Sequence, residues 1–379
     1  KILAMNKVGN IFHRYKFLLL LILFVATTRV LLLQMIGVGG ADPIGNWFFA
    51  RQIFHGLDYE IFHRSARFGT IIPLYLSQLL FGDGPLVYYV APVFASIILS
   101  LFQYKALRIF NGELFSFIAC VLTAVFPEII KRSSHPGVEI FSTTFCMIAL
   151  YYILKFEKST QSNENCRFTL GVSSLFVFFM YMAKEDSLFL FPILLIYVWS
   201  IRKDKKDLVI FMSVPFLLFV AETFLYATFS DFPIGRLSVI TSHVSSDDIY
   251  ALDSLIGLFG RFSSIHMDPS WQFSLFLVVP CGVFLLYTEK KRQVRLFVWM
   301  LSLYLFLMTF LLKSINPIIP FNAFRSRYLT IIAPIIIPII CFTVVNFYKI
   351  FAKKLTPLSS RKNAGNPIFY FAIITGTII

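Results

Sequence analysis

An all-α polytopic membrane protein with about ten or eleven transmembrane helices is the fold class predicted by three observations. Hydrophobic residues make up 58% of the 379 and charged residues only 14%, whereas a soluble domain carries roughly a quarter charged. Apolar runs of about the twenty residues a membrane-spanning helix needs recur along the whole chain. Lys and Arg are unevenly shared between the connections that join those runs. The 45 Phe residues fit the same class, because lipid accepts aromatic surface that one soluble core could not bury.

In order, the runs cover 17–36, 86–104, 113–130, 139–154, 168–182, 187–201, 208–229, 271–288, 296–312 and 328–348. The first is too long for a signal core and ends without a small-x-small cleavage site, so it reads as an anchor. A shorter apolar patch at 70–81 is expected to lie at the interface or re-enter the membrane. From Pro367 onward a further run stops before spanning length, and with no initial Met the chain reads as one transmembrane domain over 1–379, truncated at its C-terminus. Cys120, Cys146, Cys166, Cys281 and Cys341 lack zinc or redox spacing and read as small packing residues.

Charge supplies a direction. Taking alternate connections beginning with the N-terminus, one set carries 22 Lys and Arg and the other 11, with Arg29 inside the first run. Compact clusters such as Arg202-Lys203-Asp204-Lys205-Lys206 belong to the richer set. That is the positive-inside pattern with a cytoplasmic N-terminus, so the net charge of +14 reports topology and not a nucleic-acid partner. Two long connections, 37–85 and 230–270, then fall outside, and any chemistry is expected on the outer (periplasmic or lumenal) face. The inner connections are too short for a nucleotide-binding domain.

The first outer loop opens Gly37-Val-Gly-Gly-Ala-Asp42-Pro43-Ile-Gly-Asn-Trp47. Asp before Pro suits a helix N-cap with Pro at the first helical position, and Trp47, Phe48 and Phe54 suit a helix lying in the interface. The same carboxylate, at the membrane surface, could take a proton from an incoming hydroxyl or amine, a contribution worth roughly 10²–10⁴ in rate. Further along stand Arg67-Phe-Gly-Thr-Ile-Ile-Pro73, Leu80-Phe81-Gly82-Asp83-Gly84, Phe126-Pro127, Ser134-His135-Pro136-Gly137-Val138-Glu139, Ala183-Lys184-Glu185 and Arg325-Ser326-Arg327-Tyr328-Leu329.

In that order, and all on the outer side, these segments resemble the glycosyltransferase C superfamily. The likeness is strongest to the bacterial relatives of protein O-mannosyltransferases and lipid A aminoarabinose transferases, over residues 17–200 and 325–340. The resemblance implies a sugar carried on a polyprenyl phosphate and transferred to an acceptor at the outer membrane surface, with inversion at the anomeric carbon. Asp42 matches the family's loop-one acid, the base or acceptor-orienting group. Many members have two adjacent acids there; here Pro43 follows, leaving Glu139 or His135 to supply the second polar group. Some relatives bind a divalent ion with such carboxylates, for which oxygen ligands would suit Mg²⁺ or Mn²⁺; one Asp and one distant Glu leave that open.

A departing lipid phosphate needs cations around it. Arg67, Lys184, Arg325 and Arg327 are the candidates, with Arg64, Lys131 and Arg132 also on the outer side. Each could equally contact ordinary headgroups. Arg29 and Glu222 lie inside apolar runs, where a lone charge costs roughly 2.5–3.5 kcal/mol. Counted from the inner ends of their helices both lie about 18–21 Å deep, so they are expected to pair or to line a shared cavity. His55, His63, His135, His243 and His266 show no ligand spacing, and Ser133 and Ser134 no nucleophile elbow. Loop 230–270 is a candidate for acceptor specificity. Competing readings are a transporter or flippase of a lipid-linked substrate, which would favour repeat symmetry that is not visible, and a non-catalytic subunit on the same scaffold.

Overall fold

The computed structural model describes residues 2–36, 41–58, 65–161, 167–229, 269–310, 312–315, 318–320 and 326–355. The C-terminal run and loop 230–268 lie outside them, as do Arg64, Arg325 and Cys166. The described chain is a helical bundle of membrane type. Helix α1 (Ile2–Ile36) leads into α2 (Ala41–Phe54), α3 (Phe68–Phe81), α4 (Val87–Arg108), α5 (Glu113–Ala124), α6 (Pro127–Ser133), α7 (Val138–Gln161) and α8 (Arg167–Ala183). A 3-10 turn at Glu185–Leu190 opens α9 (Phe191–Arg202), followed by α10 (Lys205–Phe229), α11 (Pro269–Thr288), α12 (Arg292–Phe310) and α13 (Leu329–Leu355). Between α12 and α13 lie two short antiparallel strands, β1 (Leu312–Ile315) and β2 (Ile318–Pro320), and a 3-10 turn at Ser326–Tyr328.

Each of the ten complete apolar runs falls on helix over most of its length, so the all-α polytopic expectation holds. Among the described residues five helices are long and apolar enough to cross a membrane unaided, or six if α5 and α6 form one span. The remaining helices run from seven residues in α6 to 20 in α11. The span windows of α7 and α13 are 78% buried, against 17% for α1 and 11% for α10. The first two are therefore the core, and the last two face lipid.

Two breaks shape the end of the bundle that carries the predicted site. After Ala124 the chain bends by 67° into α6, whose Pro127 stands at the first helical turn after an extended Phe126. The bend strands the last carbonyls of α5 in an apolar setting, where an unmet acceptor is costly. Leu21, Val25 and Arg29 form one fully buried stripe on α1, and Arg29 Nη2 donates to the Ala124 carbonyl at 2.7 Å. In α13, Pro334 has no N–H to offer the Thr330 carbonyl four residues back. Thr143 Oγ1 on α7, bonded at 2.7 Å to the Glu139 carbonyl of its own helix, shares that proton with the Thr330 carbonyl at 3.2 Å, while the Pro334 carbonyl takes Gln103 Nε2 from α4 at 3.2 Å. Two prolines thus turn backbone groups outward to make tertiary bonds.

Helix α2 lies across this end. Asp42, Asn46, Phe49 and Ala50 share its inward face, while Ile44 and Phe48 are 47% and 53% exposed, as an interfacial helix requires. The helix begins at Ala41, so Asp42 sits in its first turn and not at its cap. Arg51 Nε and His55 Nε2 both reach Asp83 Oδ2, at 2.8 and 2.9 Å, clasping the end of α2 to the loop before α4.

Gly69 sits where α3 meets the end of α8. A Cβ there would stand 2.3 Å from the Ala183 backbone nitrogen. Gly69→Ala should therefore lower thermal stability in detergent, at or above the roughly 1–3 kcal/mol typical of overpacking, since backbone cannot rotate aside. Gly84→Ala, which meets nothing within 4 Å, should leave the melting temperature unchanged. Equal melting of the two variants would show that the close approach does not constrain the fold.

Candidate functional site

Five segments distant in sequence meet at the α2 end of the bundle. Helix α2 brings Asp42, and the turn between α6 and α7 brings His135 and then Glu139. The α8–α9 turn contributes Lys184, Glu185 and Asp186. The residue before α3 is Arg67, and the turn before α13 carries Arg327 and Tyr328. Local bonds place them: Asn46 Nδ2, one turn after Asp42, donates to the Pro136 carbonyl at 2.9 Å, pinning α2 to the turn that leads into Glu139. The Thr143–Thr330 bond lies one turn past Glu139 and two residues past Tyr328, so it holds the starts of α7 and α13 together.

At the centre, Lys184 Nζ lies 3.2 Å from Glu139 Oε1 and 3.6 Å from Asp186 Oδ2, with all three side chains 3–4% exposed. The ammonium also sits 3.9 Å from the centroid of the Tyr328 ring. Beside it, Arg327 Nη1 reaches Asp42 Oδ2 at 3.2 Å, and Nη2 approaches the Tyr328 hydroxyl at 3.3 Å. Its guanidinium carbon is 5.2 Å from the same ring. Tyr328 is thus in contact with both cations. Arg67 Nη2 pairs with Glu185 Oε1 at 3.5 Å, and Arg132 pairs with Glu128 at 3.7 Å.

Burial alone would weaken Arg327 as a base, but Tyr328, Glu139 and Asp42 outweigh it and hold the guanidinium above the ordinary arginine value. His135 moves the other way. Burial, then the neighbouring Arg132, lowers its pKa to about 4, so the ring is neutral at physiological pH. His135 is 2% exposed, in the turn that Asn46 holds down.

The predicted residues divide clearly. Asp42, Glu139, Lys184 and Arg327 come together, and Arg67 joins the same turn through Glu185. Arg325 lies outside the described residues. The expected pairing of Arg29 with Glu222 is corrected: Arg29 Nη2 donates to the Ala124 carbonyl, α1 packs on α4, α5 and α6, and α10 packs on α8 and α9. Equal depth fixed only one coordinate, and the two residues lie on different sides of the bundle. Glu222 is buried on the α10 stripe shared with Phe211 and Tyr226.

Asn46, Asp186, Tyr328 and Tyr304 were not anticipated as site residues. Tyr304 is fully buried, its hydroxyl has no hydrogen-bond partner among the described residues, and it feels the charges of Asp186 and Glu139. The Lys184-Glu185-Asp186 and Arg327-Tyr328 neighbourhoods were signals for two of these; nothing local marks Asn46 or Tyr304. Asp42 and Glu139 each face a cation, and no group of three His, Cys, Asp or Glu comes together among the described residues.

By sequence the chain matches no protein-family model and no curated protein. By structure it is similar to the oligosaccharyltransferase AglB of Archaeoglobus fulgidus. In the apo form the TM-score is 0.61 at 12% identity, over 97% of this chain and 54% of that one. A second structure of AglB, in complex with an inhibitory peptide and a dolichol-phosphate, gives 0.60 at 13%, with the same coverage. ArnT from Cupriavidus metallidurans bound to undecaprenyl phosphate gives 0.62 at 11%, over 95% of this chain and 69% of that one. The chain thus spans about half the length of the archaeal enzyme. At these identities the likeness is one of fold: the chain shares the fold of the archaeal oligosaccharyltransferase and of ArnT.

Lys184→Met should destabilise the protein by about 3–5 kcal/mol, because it leaves Glu139 buried without its cation, and adding Glu139→Gln should restore much of the loss. A double variant no more stable than the single would argue that the pair is not coupled. A histidine whose pKa falls on folding contributes stability that is whole above about 6.5 and is lost as pH drops toward about 4. Melting temperatures over that window should therefore fall more steeply for the wild type than for His135→Gln.

Proposed function

We propose that this chain is a membrane glycosyltransferase that moves a sugar from a polyprenyl-phosphate carrier to an acceptor at the outer membrane face. The observation that carries the reading is the Asp42–Arg327 pair at 3.2 Å, beside Lys184 and Arg67 on a glycosyltransferase C fold. It supports the reading because a carboxylate suited to take a proton would then stand next to cations suited to receive a phosphate. Two neighbours of this fold hold polyprenyl phosphates, dolichol-phosphate in AglB and undecaprenyl phosphate in ArnT. The basic connections support an inner N-terminus, which puts the cluster outside.

In the chemistry that follows, an acceptor hydroxyl or amine gives its proton to Asp42 as its oxygen or nitrogen bonds to the anomeric carbon. The bond from that carbon to the phosphate oxygen breaks on the opposite face, and its electron pair leaves with the lipid phosphate. Arg327, Lys184 and Arg67 stabilise the charge that gathers there. In the described state Arg327 holds Asp42. Its Nε is buried with no hydrogen-bond partner among the described residues, so it has a donor to spare for a phosphate. An arriving phosphate competes with Asp42 for the guanidinium, which releases the carboxylate to face the acceptor. Glu139 keeps Lys184 charged and oriented. Loop 230–270 is the proposed source of acceptor specificity, and the sugar and acceptor follow from neither charge nor fold.

The test is transfer from a panel of polyprenyl-phosphate sugars to lipid and peptide acceptors by full-length protein in detergent or vesicles. Asp42→Asn should lower kcat by about 10²–10⁴ while binding the carrier lipid normally. Arg327→Met should weaken carrier binding. Transfer that survives Asp42→Asn unchanged would remove Asp42 as the base. No transfer with any donor, together with measurable lipid translocation, would replace the reading with a transporter.

A further inference from the structure

At the opposite end of the bundle, where α13 leaves the core, a cavity of about 480 Å³ opens between the α4–α5 connection, the α11–α12 connection and α13. Its floor is aromatic. The rings of Phe115 and Phe342 stack at 4.6 Å, and Phe110 stacks on Phe342 at 6.0 Å. Its rim is polar and cationic, with Asn111, Lys291 and Lys349 among the lining residues. Phe342 lies well inside the span Leu329–Phe351, and Lys349 lies two residues from its end. The cavity therefore crosses from hydrocarbon depth to headgroup depth.

The rim is arranged for a negative group. Lys291 Nζ donates to the Phe110 carbonyl at 3.0 Å and to Asn111 Oδ1 at 3.2 Å. This fixes the Asn111 amide so that its Nδ2 is a buried donor without a partner. The acid at the rim, Glu289, is already occupied. Its Oε1 accepts the Lys290 and Lys291 N–H groups at 3.0 Å each, and its Oε2 accepts Asn346 Nδ2 at 3.1 Å. Two Lys or Arg in 105–112 and four in 289–295, against Glu289 and the Glu113 that pairs with Arg108, leave the surrounding potential positive.

We infer that this cavity is a binding site for the phosphate headgroup of an anionic membrane phospholipid. Lys291, Lys349 and the Asn111 amide receive the phosphate, and the Phe110–Phe115–Phe342 floor takes the glycerol and the first methylenes. Basic pockets between spanning helices at the cytoplasmic end hold anionic headgroups by this combination of charge and depth. A free phosphate would use the rim alone and leave the aromatic floor in water. The inference is independent of the transferase reading, since it uses no residue of the Asp42 cluster. It does give α13 a lipid contact at one end and the Arg327–Tyr328 turn at the other.

The experiment uses the full chain in nanodiscs of phosphatidylcholine with increasing phosphatidylglycerol, reading melting temperature and lipid retained through native mass spectrometry. Phosphatidylglycerol should raise the melting temperature and be retained in preference to phosphatidylcholine, whereas inorganic phosphate at the same concentration should do neither. Lys349→Gln should weaken retention about fivefold, the usual worth of one interfacial lysine near anionic lipid. Lys291→Gln should weaken it further, since it also releases Asn111. Lys349 makes no bond that the connection depends on, so its variant reads the site even if Lys291→Gln fails to fold. Retention unchanged in Lys349→Gln, or stabilisation by inorganic phosphate equal to that by the lipid, would overturn the assignment.

Discussion

The buried contact between Lys184 and Glu139 is the interaction on which the rest of this end of the molecule depends. Each ion loses water worth several kcal/mol, and only close mutual contact offsets that loss. Glu139 stands at the start of α7, Lys184 in the turn leaving α8, and Tyr328, beneath the ammonium, just before α13. Lys184 cannot leave without stranding Glu139, and Asp186 stands 3.6 Å from the same ammonium. The pair therefore obliges three helices to begin or end at one point, and Asp42, Arg327 and Arg67 are organised around that point.

What lets the helices meet there is backbone chemistry more than side-chain size. Gly69 admits the Ala183 backbone at a distance no Cβ would tolerate. Pro334 leaves the Thr330 carbonyl to Thr143, and the bend before Pro127 leaves the Ala124 carbonyl to Arg29. In lipid an unmet carbonyl has no water to turn to, so each break in a helix becomes an attachment between helices. A soluble protein could solvate the same breaks and gain no such fixation.

The charges at the site are paired at two depths. Arg327 and Asp42 are 29% and 35% exposed, whereas Lys184 and Glu139 are almost fully enclosed. A partly exposed outer pair thus rests on an enclosed inner pair.

The amino-acid sequence determined the class of this protein, because hydrophobic run length and charge bias are properties of the chain measured against lipid. It also marked Asp42, Glu139, Lys184 and Arg327, since each stands in a turn between apolar runs where a charge has to be explained. It could not show which charges meet. Depth along a helix follows from counting residues, but the side of the bundle a residue faces does not, so Arg29 and Glu222 looked like partners and are not. Asn46 and Tyr304 carried no local signal, because their roles arise only from what packs opposite them. The tertiary structure decided those matters, through glycine contacts, proline-freed carbonyls and a buried ion pair that join segments up to about two hundred residues apart.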